Sequence, residues 1–563
     1  MITRREFLQA AVAAGAVMPA LAGGGWNRAA AQQALTEADL LAFQPKGNVT
    51  LVHVADLHAQ LMPVYFREPS VNLGVGEVAG KPPHLTGRDF LEHYRIKPGT
   101  PEAYALTSVD FEALSRTYGK MGGLDRIAHI LKAIRAERGD KTLFLDCGDT
   151  WQGSYTALKT RGQDMIDVMN LLKPDAMTGH WEFTLGADRV KEIVDGLSFP
   201  FLAGNVVDTE WEEPVFKATA MFERGGVKIG VVGQAFPYTP IANPRWMFPK
   251  WSFGIREQTV QSHVDAVRAE GAQLVVLLSH NGFDVDRKMA SRVKGIDVIL
   301  SAHTHDAIPE PLVLGNTLLV ASGSNGKFVS RLDLDVGNEG VKGFSYRLIP
   351  VFADVVKSDP EMAALIAGIR APHEEELKRV VGTAGSVLYR RGNFNGTFDD
   401  LICQAMLEQQ DAEIALSPGF RWGVSVLPGQ PITVEELFTQ TGMTYPAVYR
   451  MNFTGERLKE VMEDVADNLF HPDPYKQQGG DMVRIGGMGY AIDINKPMGS
   501  RITDMIHLKS GKPVNPKREY VVAGWASINP DTKGPPVWEV VEKHLAANPN
   551  VAIPPNDSVK IKG

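Results

Sequence analysis

The chain has 563 residues and a formal net charge of −8, from 58 Lys and Arg against 66 Asp and Glu. Its length exceeds that of one domain, so two or more domains are expected. Hydrophobic residues make up 44% and charged residues 22%, as in ordinary globular proteins. The acidic balance argues against nucleic acid as a partner.

The first 31 residues predict an export signal. Residues 3–8 read Thr-Arg-Arg-Glu-Phe-Leu and precede a short apolar run, and Ala29–Ala31 supplies small residues before Gln32. Paired arginines followed by Phe-Leu are typical of a twin-arginine signal peptide. The apolar run is too short to span a membrane, and no other segment is apolar over the required length. We therefore expect a periplasmic protein without a membrane anchor once the signal has been removed near Ala31.

The two cysteines, Cys147 and Cys403, lie far apart in the sequence. A disulfide between them is one interpretation, and two buried, unreactive thiols is the favoured one. No Cys-x-x-Cys motif occurs, which excludes a zinc ribbon.

From residue 49 onward, predicted strands alternate with predicted amphipathic helices. The strands are Val49–Ala55, Thr142–Leu145, Phe201–Ala203, Ile229–Val232, Leu274–Leu278, Val298–Leu300, Leu318–Val320 and Arg331–Val336. The helices are Gly123–Arg138, Asp164–Leu172, Val264–Glu270 and Asp286–Val293. This alternation predicts an α/β domain over residues 48–357.

Residues 66–118 interrupt that pattern between the first strand and its helix. The segment is long and rich in Pro and Gly. An insertion of this length at the carboxyl end of a strand predicts either a functional element of a site or a structural flap.

A second, smaller α+β domain is predicted for residues 383–563, after a linker helix within 358–382. The linker helix spans Asp359–Lys378 and opens with Ser-Asp-Pro-Glu at 358–361, an N-cap with an early proline. The predicted elements of the second domain are a helix at Thr397–Glu408, strands at Tyr445–Phe453 and Tyr520–Gly524, and a Gly-rich loop at Gly479–Gly489.

Polar side chains follow the ends of successive predicted strands in the first domain. The carboxyl ends of strands line the ligand crevice of an α/β sheet. One His at such a position is usually an ordinary residue, but seven Asp and His together are costly to bury unless metal ions satisfy them. The seven residues are Asp56, His58, Asp149, His180, His280, His303 and His305.

The combination of imidazole and carboxylate without thiolate suits Mn, Fe or Zn. Seven ligands are too many for one ion with open positions and fit two ions that share a bridging carboxylate. A metal pair of this kind generates hydroxide near neutral pH and clamps both ends of a displacement reaction. The sequence therefore predicts a dimetal hydrolase.

The order of these motifs resembles the calcineurin-like dimetal phosphoesterases: Asp-x-His, Gly-Asp, a Gly-Asn-His-Glu-like turn, a His, and Ala-His-x-His. Segments 395–406 and 486–501 resemble the C-terminal domain of the 5′-nucleotidase branch of that family. The resemblance implies a four-layer first domain in which helices flank mixed β-sheets. It also implies two ligand sets that share a bridging residue. The first set is Asp56, His58 and His305, the second is His180, His280 and His303, and the bridge is Asp149.

The third motif departs from the phosphoesterase pattern. Where that family has an Asn ligand, a catalytic His and an orienting Asp, this chain has His180, Trp181 and Thr184. An indole has an N–H donor but no acid–base function near neutral pH. The loops 480–482 and 527–531, which resemble the regions that stack a nucleotide base, contain no Phe or Tyr.

These departures, together with the segment Tyr65–Ser70, resemble the sulfate thiohydrolase family of the periplasmic sulfur-oxidising Sox system. The resemblance implies two Mn²⁺ ions, although the ligands themselves do not exclude Zn or Fe. It implies a substrate carried as a cysteine S-thiosulfonate on the flexible arm of a SoxYZ-type carrier protein. A dimetal-bound hydroxide would release its terminal sulfonate as sulfate. We also expect a monomer.

Three further residues are predicted to act on the substrate. Trp181 would line the slot for the carrier arm, or else pack beneath the metals. Arg421 resembles a family position that faces the substrate from the second domain, with a surface ion pair as the alternative. Asn205 is an expected polar contact, as is Asn281. The insertion and the second domain would wall a channel for the arm.

Two other functions are compatible with parts of the sequence: hydrolysis of nucleotides and non-catalytic binding of the carrier. A periplasmic 5′-nucleotidase or cyclic-nucleotide phosphodiesterase would require a proton donor and base-stacking aromatic side chains, which the sequence lacks at the corresponding positions. A non-catalytic protein that binds the carrier would have no need of seven metal-ligand residues.

Overall fold

The structure is a computed structural model that describes residues 35–562, so the predicted signal peptide at 1–31 lies outside the described residues. Between residues 49 and 350 the strands are β1 (Val49–Val54), β2 (Thr142–Asp146), β3 (Ala176–Met177), β4 (Val207–Asp208), β5 (Thr219–Arg224), β6 (Val227–Gln234), β7 (Trp251–Ser252), β8 (Leu274–Ser279), β9 (Val298–Ser301), β10 (Leu312–Leu314), β11 (Thr317–Ala321), β12 (Phe328–Gly337) and β13 (Gly340–Pro350).

Two mixed sheets form the centre of this first part of the chain. The first has the order β13-β12-β1-β2-β3 and the second β10-β11-β9-β8-β6-β5. Strand β1 runs parallel to β2 and antiparallel to β12. In the second sheet β6, β8, β9 and β11 are parallel neighbours. The parallel strands therefore bring their carboxyl ends to one edge of each sheet.

Helices of this first part pack on both sheets. They are α1 (Glu37–Leu41), α2 (Gly87–His93), α3 (Pro101–Leu106), α4 (Phe111–Tyr118), α5 (Leu124–Arg138), α6 (Tyr155–Thr160), α7 (Gln163–Leu172), α8 (Ala187–Gly196), α9 (Thr239–Ala242), α10 (Glu257–Ala269) and α11 (Phe283–Arg292). Among these helices, α5 lies on the first sheet, and α10 and α11 lie on the second. Single-turn 3₁₀ segments include Gly76–Val78, Gly139–Lys141 and Arg245–Met247, and a longer one spans Trp181–Leu185.

The alternation along β8 shows how the layers are built. Leu274, Val276 and Leu278 belong to the core that also contains the first sheet, whereas Val275 and Leu277 pack with residues of α10 and α11. Successive side chains of a strand point to opposite faces, so a continuous Val/Leu run buries both faces of the sheet. The result is the expected four-layer arrangement, with helices on the outside and two mixed sheets within.

The second part of the chain, residues 360–562, has its own sheets. Its helices are α12 (Pro360–Arg370), α13 (Glu374–Lys378), α14 (Thr397–Gln409), α15 (Val434–Thr441), α16 (Gly455–Phe470) and α17 (Val537–Ala547). Its strands are β14 (Val380–Ala384), β15 (Ile414–Ser417), β16 (Pro431–Thr433), β17 (Val448–Thr454), β18 (Arg484–Gly486), β19 (Met488–Asp493), β20 (Ile502–His507), β21 (Lys512–Pro513), β22 (Glu519–Trp525), β23 (Asn550–Val551) and β24 (Val559–Lys562). They form sheets of order β16-β14-β23, β17-β22-β15-β18 and β21-β20-β19-β24.

Several sequence-predicted elements differ from the structure. The predicted strand Phe201–Ala203 contributes only isolated bridges, from Phe201 to Met177 and from Leu202 to Lys217. The single linker helix is two helices, α12 and α13, separated by a 3₁₀ turn at Ala371–His373. Pro372 explains the break, because proline cannot donate the helical hydrogen bond. Strands β5 and β13 were not predicted, because their half-exposed patterns carry a weak hydrophobic signal.

The insertion at 66–118 contains three helices and bridges both parts of the chain. Tyr65, just before it, pairs with Ser425 of the second part, and Val71 and Leu73 pack against a core of the second part. Asn393 also hydrogen-bonds the backbone of Leu73 at 2.6 Å. The segment therefore ties the two parts of the chain together.

Cys147 and Cys403 are both buried free thiols in the structure, in line with the favoured interpretation. Burial is the main reason that the pKa of each thiol is raised. Over the described residues, no helix combines the length and hydropathy that a membrane crossing requires.

The insertion is anchored by a buried ion pair between Glu68 and Lys327, whose side chains are 8% and 1% exposed. The ammonium of Lys327 also donates to the carbonyl of Ala105 at 2.9 Å. Burial lowers the pKa of Lys327. Removal of one partner of such a pair leaves an uncompensated buried charge.

We predict that Glu68→Ala lowers the free energy of unfolding by about 3–5 kcal/mol, because Lys327 would remain buried without its carboxylate. Urea denaturation measures the change. Glu112→Ala is the matched control, since it breaks an exposed pair with Arg116 in the same insertion and should cost less than about 1 kcal/mol. Equal losses in the two variants would contradict the anchoring role of Glu68.

Candidate dimetal site

The seven Asp and His residues singled out by the sequence lie together at one edge of the two central sheets. They follow strands β1, β2, β3, β8 and β9, and all seven are buried. Their ligand-type atoms form two groups, within each of which the atoms lie no more than 4.8 Å apart, and Asp149 belongs to both. One group is Asp56, His58, Asp149 and His305, and the other is Asp149, His180, His280 and His303.

The side chains converge on the carboxylate of Asp149. Its Oδ2 lies 3.2 Å from Nδ1 of His180 and 3.2 Å from Nε2 of His280. Nε2 of His58 is 3.7 Å from the same oxygen and 3.1 Å from Nε2 of His305. One carboxylate therefore stands between two sets of imidazoles, as a bridging ligand must.

The backbone is strained at most of these residues. Asp56, His58, Asp149, His303 and His305 all adopt positive φ, between 47° and 76°. Non-glycine residues rarely occupy this left-handed region, and such strain is retained at sites where the surrounding structure imposes it. These residues thus adopt an unfavourable backbone conformation, which points their side chains toward one another.

Several buried nitrogens at the site have no hydrogen-bond partner within the protein. They are Nε2 of His180, both ring nitrogens of His303 and Nδ1 of His305. Buried polar groups are normally satisfied, so a cluster of exceptions points to a missing ligand. A set of five imidazoles and two carboxylates fits a pair of divalent transition-metal ions.

The carboxylates and imidazoles of the site influence one another's ionisation. Burial alone would lower the pKa of His280, but the carboxylates of Asp149 and Asp56 outweigh it and raise that pKa to about 10. Burial likewise opposes ionisation of Asp149, yet His180 and His280 hold the pKa of its carboxyl well below the usual range. In addition, Nδ1 of His280 lies 2.6 Å from the carbonyl of Cys147, the kind of contact that orients a metal-binding imidazole.

Glu182 was not singled out from the sequence, although it holds the site together. It is fully buried, and its carboxylate accepts backbone N–H groups of His180 and Thr150, both at 2.6 Å. It also accepts from the backbone of Asp149 at 3.3 Å. Burial raises the pKa of Glu182, and the Asp149 charge adds to that effect. One carboxylate thereby fastens the loop of Asp149 to the loop of His180.

Phe236 is a second residue that sequence reasoning missed. It follows β6, lies 3% exposed, and stacks on the ring of His303 with centroids 4.2 Å apart. Its ring also lies 4.0 Å from that of His180. It closes the site on one side with an apolar face. The signal available in the sequence was its place just after a buried strand, but an apolar residue there has no ligand chemistry to distinguish it.

Trp181 packs into the second part of the chain. It lies 6% exposed and belongs to the same hydrophobic cluster as Trp422. Its ring meets Trp422 edge-on at 4.9 Å and Phe420 at 5.4 Å, while its backbone N–H donates to Asp149 at 2.7 Å. The side chain therefore joins the dimetal site to an aromatic wall.

Thr184 hydrogen-bonds across the same boundary. Its hydroxyl lies 2.6 Å from that of Thr444, which donates in turn to the Thr184 carbonyl at 3.1 Å. The position that carries an orienting Asp in the resembled phosphoesterases thus forms a neutral contact between the two parts of the chain.

Arg421 reaches the site from the second part of the chain. Its guanidinium donates to the carbonyl of Gly480 at 2.6 Å and to that of His303 at 3.3 Å. Its side chain is 13% exposed and pairs with Asp481 rather than with a surface carboxylate. Burial lowers the pKa of Arg421.

Asn205 is placed differently from expectation, whereas Asn281 lies at a cavity that His303 and Arg421 also line. Asn205 is fully buried and its amide nitrogen donates to the carbonyls of Ala235 and Gly254 at 2.7 and 3.0 Å. Its side chain is thus committed to the backbone of neighbouring loops and does not line the site. Asn281 donates to Asp286 at 3.0 Å and faces a neighbouring cavity.

A cavity of about 170 Å³ opens onto both groups of Asp and His. Its walls include Trp181, Phe236, Phe420, Arg421 and Trp422. The walls therefore combine aromatic rings with the guanidinium of Arg421 and the carboxylate of Asp481, and come from both parts of the chain. Among the described residues, those of the insertion 66–118 do not line this cavity, and some of them line the adjacent one instead.

Comparison with known proteins agrees with this geometry. The 5′-nucleotidase C-terminal domain family matches residues 380–537. The solved sulfate thiohydrolase SoxB of Thermus thermophilus is 36% identical, with a TM-score of 0.90 over 93% of this chain and 98% of that one. The chain belongs to the SoxB sulfate thiohydrolase family.

The SoxB family lies within the 5′-nucleotidase branch of metallophosphoesterases. A 5′-nucleotidase precursor, also from Thermus thermophilus, shares the fold at 22% identity, with a TM-score of 0.72 over 91% of this chain and 99% of that one. The 5′-nucleotidase of Diplobatis ommata is 23% identical over 446 residues, 73% of this chain and 74% of its own. The chain is thus a hydrolase of a dimetal family, with a metallophosphoesterase domain followed by a 5′-nucleotidase C-terminal domain.

We predict that Glu182→Gln weakens metal binding by about 10–100-fold, because an amide cannot replace a carboxylate that accepts several backbone N–H groups behind ligand residues. Competition with a chelator of known affinity measures the change. Glu192→Gln is the control, since Glu192 pairs with Arg189 on an exposed helix face nearby. Unchanged affinity in Glu182→Gln would show that the loops keep their geometry without it.

Proposed function

We propose that this protein hydrolyses a cysteine S-thiosulfonate carried on the arm of a SoxYZ-type carrier protein, in the bacterial periplasm, after export by the twin-arginine route. The observation that carries the proposal is the place of Trp181. At this position, next to the dimetal site, a phosphoesterase of this branch has a proton-donating His. This chain has Trp181, whose ring is part of an aromatic wall. Support also comes from the 36% identity to SoxB over nearly the whole chain.

The two groups that share Asp149 are proposed to hold two Mn²⁺ ions. Asp56, His58 and His305 would bind the first ion, and the second would be bound by His180, His280 and His303. Bound divalent ions lower the pKa of water and draw charge from the oxygens of a substrate. Glu182 and the strained backbone of the ligand residues keep the donor atoms in place before any substrate arrives.

The reaction is written as Cys–S–S–SO₃⁻ + H₂O → Cys–S–S⁻ + SO₄²⁻ + 2H⁺. Water oxygen bonds to the sulfonate sulfur, the bond from that sulfur to the sulfane sulfur breaks, and the electron pair leaves with the persulfide. A persulfide is a much weaker base than an alkoxide, so the reaction has less need of a general acid. The indole of Trp181, which cannot act as a general acid near neutral pH, is compatible with such a leaving group.

The aromatic wall suits a sulfur-containing arm. Polarisable sulfur makes favourable contacts with aromatic rings, worth about 0.3–1.5 kcal/mol each. Phe420 and Trp422 stack at 4.0 Å, and Trp181 stands edge-on against both. We propose that this wall receives the sulfane sulfur and the adjacent arm while Arg421 faces the sulfonate.

Sulfate release tests the proposal directly. We predict that the Mn²⁺-loaded protein releases one sulfate per carrier thiosulfonate and leaves a persulfide, whereas 5′-AMP under the same conditions releases phosphate at least 100-fold more slowly. Ion chromatography and mass spectrometry of the carrier measure both products. His305→Ala should abolish release, and the exposed His93→Ala should not. Absence of sulfate from the conjugate, with turnover of 5′-AMP, would assign the protein to the nucleotidases instead.

The third motif allows a reverse test. We predict that Trp181→His combined with Thr184→Asp raises hydrolysis of p-nitrophenyl phosphate at least tenfold, because it restores a proton donor and its partner; general acid catalysis contributes about 10²–10⁴-fold where the leaving group needs it. Trp181→Phe is the control, since it keeps an aromatic ring without acid–base function. Equal phosphatase rates in the double variant and the control would show that Trp181 does not determine which substrate is hydrolysed. Circular dichroism verifies that each variant is folded.

A further inference from the structure

Arg421 is the end of a buried chain of ionised side chains that alternate in sign. Arg390 lies 2.7 Å from Asp399, which lies 3.2 Å from Arg484. Arg484 lies 3.1 Å from Asp481, and Asp481 lies 3.6 Å from Nε of Arg421. The four groups behind Arg421 are each at most 4% exposed. Burial on this scale is expensive unless every charge is compensated.

The charges of this chain do not cancel. Three guanidinium groups face two carboxylates, which leaves one positive charge over. Arg390 and Arg484 are enclosed by Asp399 and by backbone carbonyls. Arg421, by contrast, lines the cavity at the dimetal site. The chain therefore ends in a guanidinium at the place where an anionic substrate would lie.

Asp481 is fixed from several directions. Its Oδ2 accepts from Arg484 at 3.1 Å and its Oδ1 accepts from Asn393 at 3.3 Å. Its backbone N–H donates to the carbonyl of Gly419 at 2.9 Å, so it is also tied to the segment that carries Arg421. These bonds hold the carboxylate in one position, with its Oδ1 3.6 Å from Nε of Arg421.

The opposite edge of Arg421 is held by two carbonyls. Gly480, the neighbour of Asp481, accepts at 2.6 Å, and His303 accepts at 3.3 Å. Gly479 continues this loop, and a Cβ at that position would lie 2.0 Å from Nε2 of His303. The 479–481 loop therefore touches both Arg421 and a residue of the dimetal site, and sets the position of one against the other.

We propose that Asp481 is a positioning residue, which holds the guanidinium of Arg421 at the distance from the dimetal site that a sulfonate requires. The inference rests on the proposed function and deepens it, because it assigns the anion-facing group and the residue that sets its place. Asp481 borders the same cavity, and its proposed effect on the reaction is exerted through Arg421. An error of one ångström in such a group costs a large part of its contribution.

The sign of the effect separates positioning from simple electrostatics. If Asp481 only weakened the positive field of Arg421, Asp481→Asn would strengthen binding of an anionic substrate and lower KM. If Asp481 positions Arg421, the same variant frees the guanidinium and kcat/KM falls. We expect a fall of about tenfold in kcat/KM for sulfate release from the carrier thiosulfonate.

A double-mutant cycle with Arg421→Ala tests whether Asp481 acts through Arg421. In the Arg421→Ala background, Asp481→Asn should change kcat/KM by less than twofold. Asp297→Asn is the matched control, because it removes a carboxylate 2.6 Å from Arg268 at the amino ends of strands β8 and β9, away from the site. It should alter the melting temperature without altering kcat/KM.

Asp481→Glu keeps the proposal testable if Asp481→Asn does not fold. It preserves the charge and displaces the carboxylate by one methylene, so kcat/KM should fall at least threefold, and only when Arg421 is present. Wild-type kcat/KM or a lowered KM in the folded Asp481 variants would overturn the inference, as would an equal loss in the Arg421→Ala background. Failure of the wild-type protein to release sulfate would instead overturn the proposed function.

Discussion

The structure of the site depends on one carboxylate, that of Asp149, which stands between two sets of imidazoles. Such a carboxylate can be buried only where cationic partners surround it, because its desolvation is costly. The rest of the first domain supplies that setting. Two sheets place the carboxyl ends of their parallel strands along one edge, and the turns beyond those strands adopt left-handed conformations at five of the seven residues. Glu182 then joins two of those turns through backbone hydrogen bonds.

Much of this arrangement could be predicted from the sequence, because it depends on local patterns. Buried parallel strands appear as continuous Val and Leu runs, and polar residues directly after them are conspicuous. The groups that form around Asp149 have the membership that the family resemblance implies. The α/β class followed from the alternation of strands and helices, and the four layers were implied by the family resemblance. The strands and the polar residues that follow them are recognised from signals within about ten residues, whereas the grouping of the ligands came from the order of the motifs along the chain.

The remainder depends on contacts between distant parts of the chain. Asn205 was expected to contact the substrate, yet its amide donates to the carbonyls of Ala235 and Gly254. These loops are distant in sequence, so no local pattern indicates the contact. The insertion was expected to wall the channel. Its residues Val71 and Leu73 instead pack on a core of the second domain, and Tyr104 and Phe111 pack on the core of the first. The aromatic residues that line the cavity come from outside the insertion. The edge strands β5 and β13 carried too weak a hydrophobic pattern, because many of their side chains face solvent and need not be apolar. Arg421 was recognised, whereas the ion chain behind it became visible only in three dimensions.

Trp181 belongs to the chain segment of one domain and to the hydrophobic core of the other. The turn that bears His180 is therefore completed by side chains from beyond residue 380. A first domain that folded alone would leave this indole in water and lose the wall against which the turn rests. The geometry around His180 thus depends on contact between the two domains, and changes at their interface reach the dimetal site through Trp181.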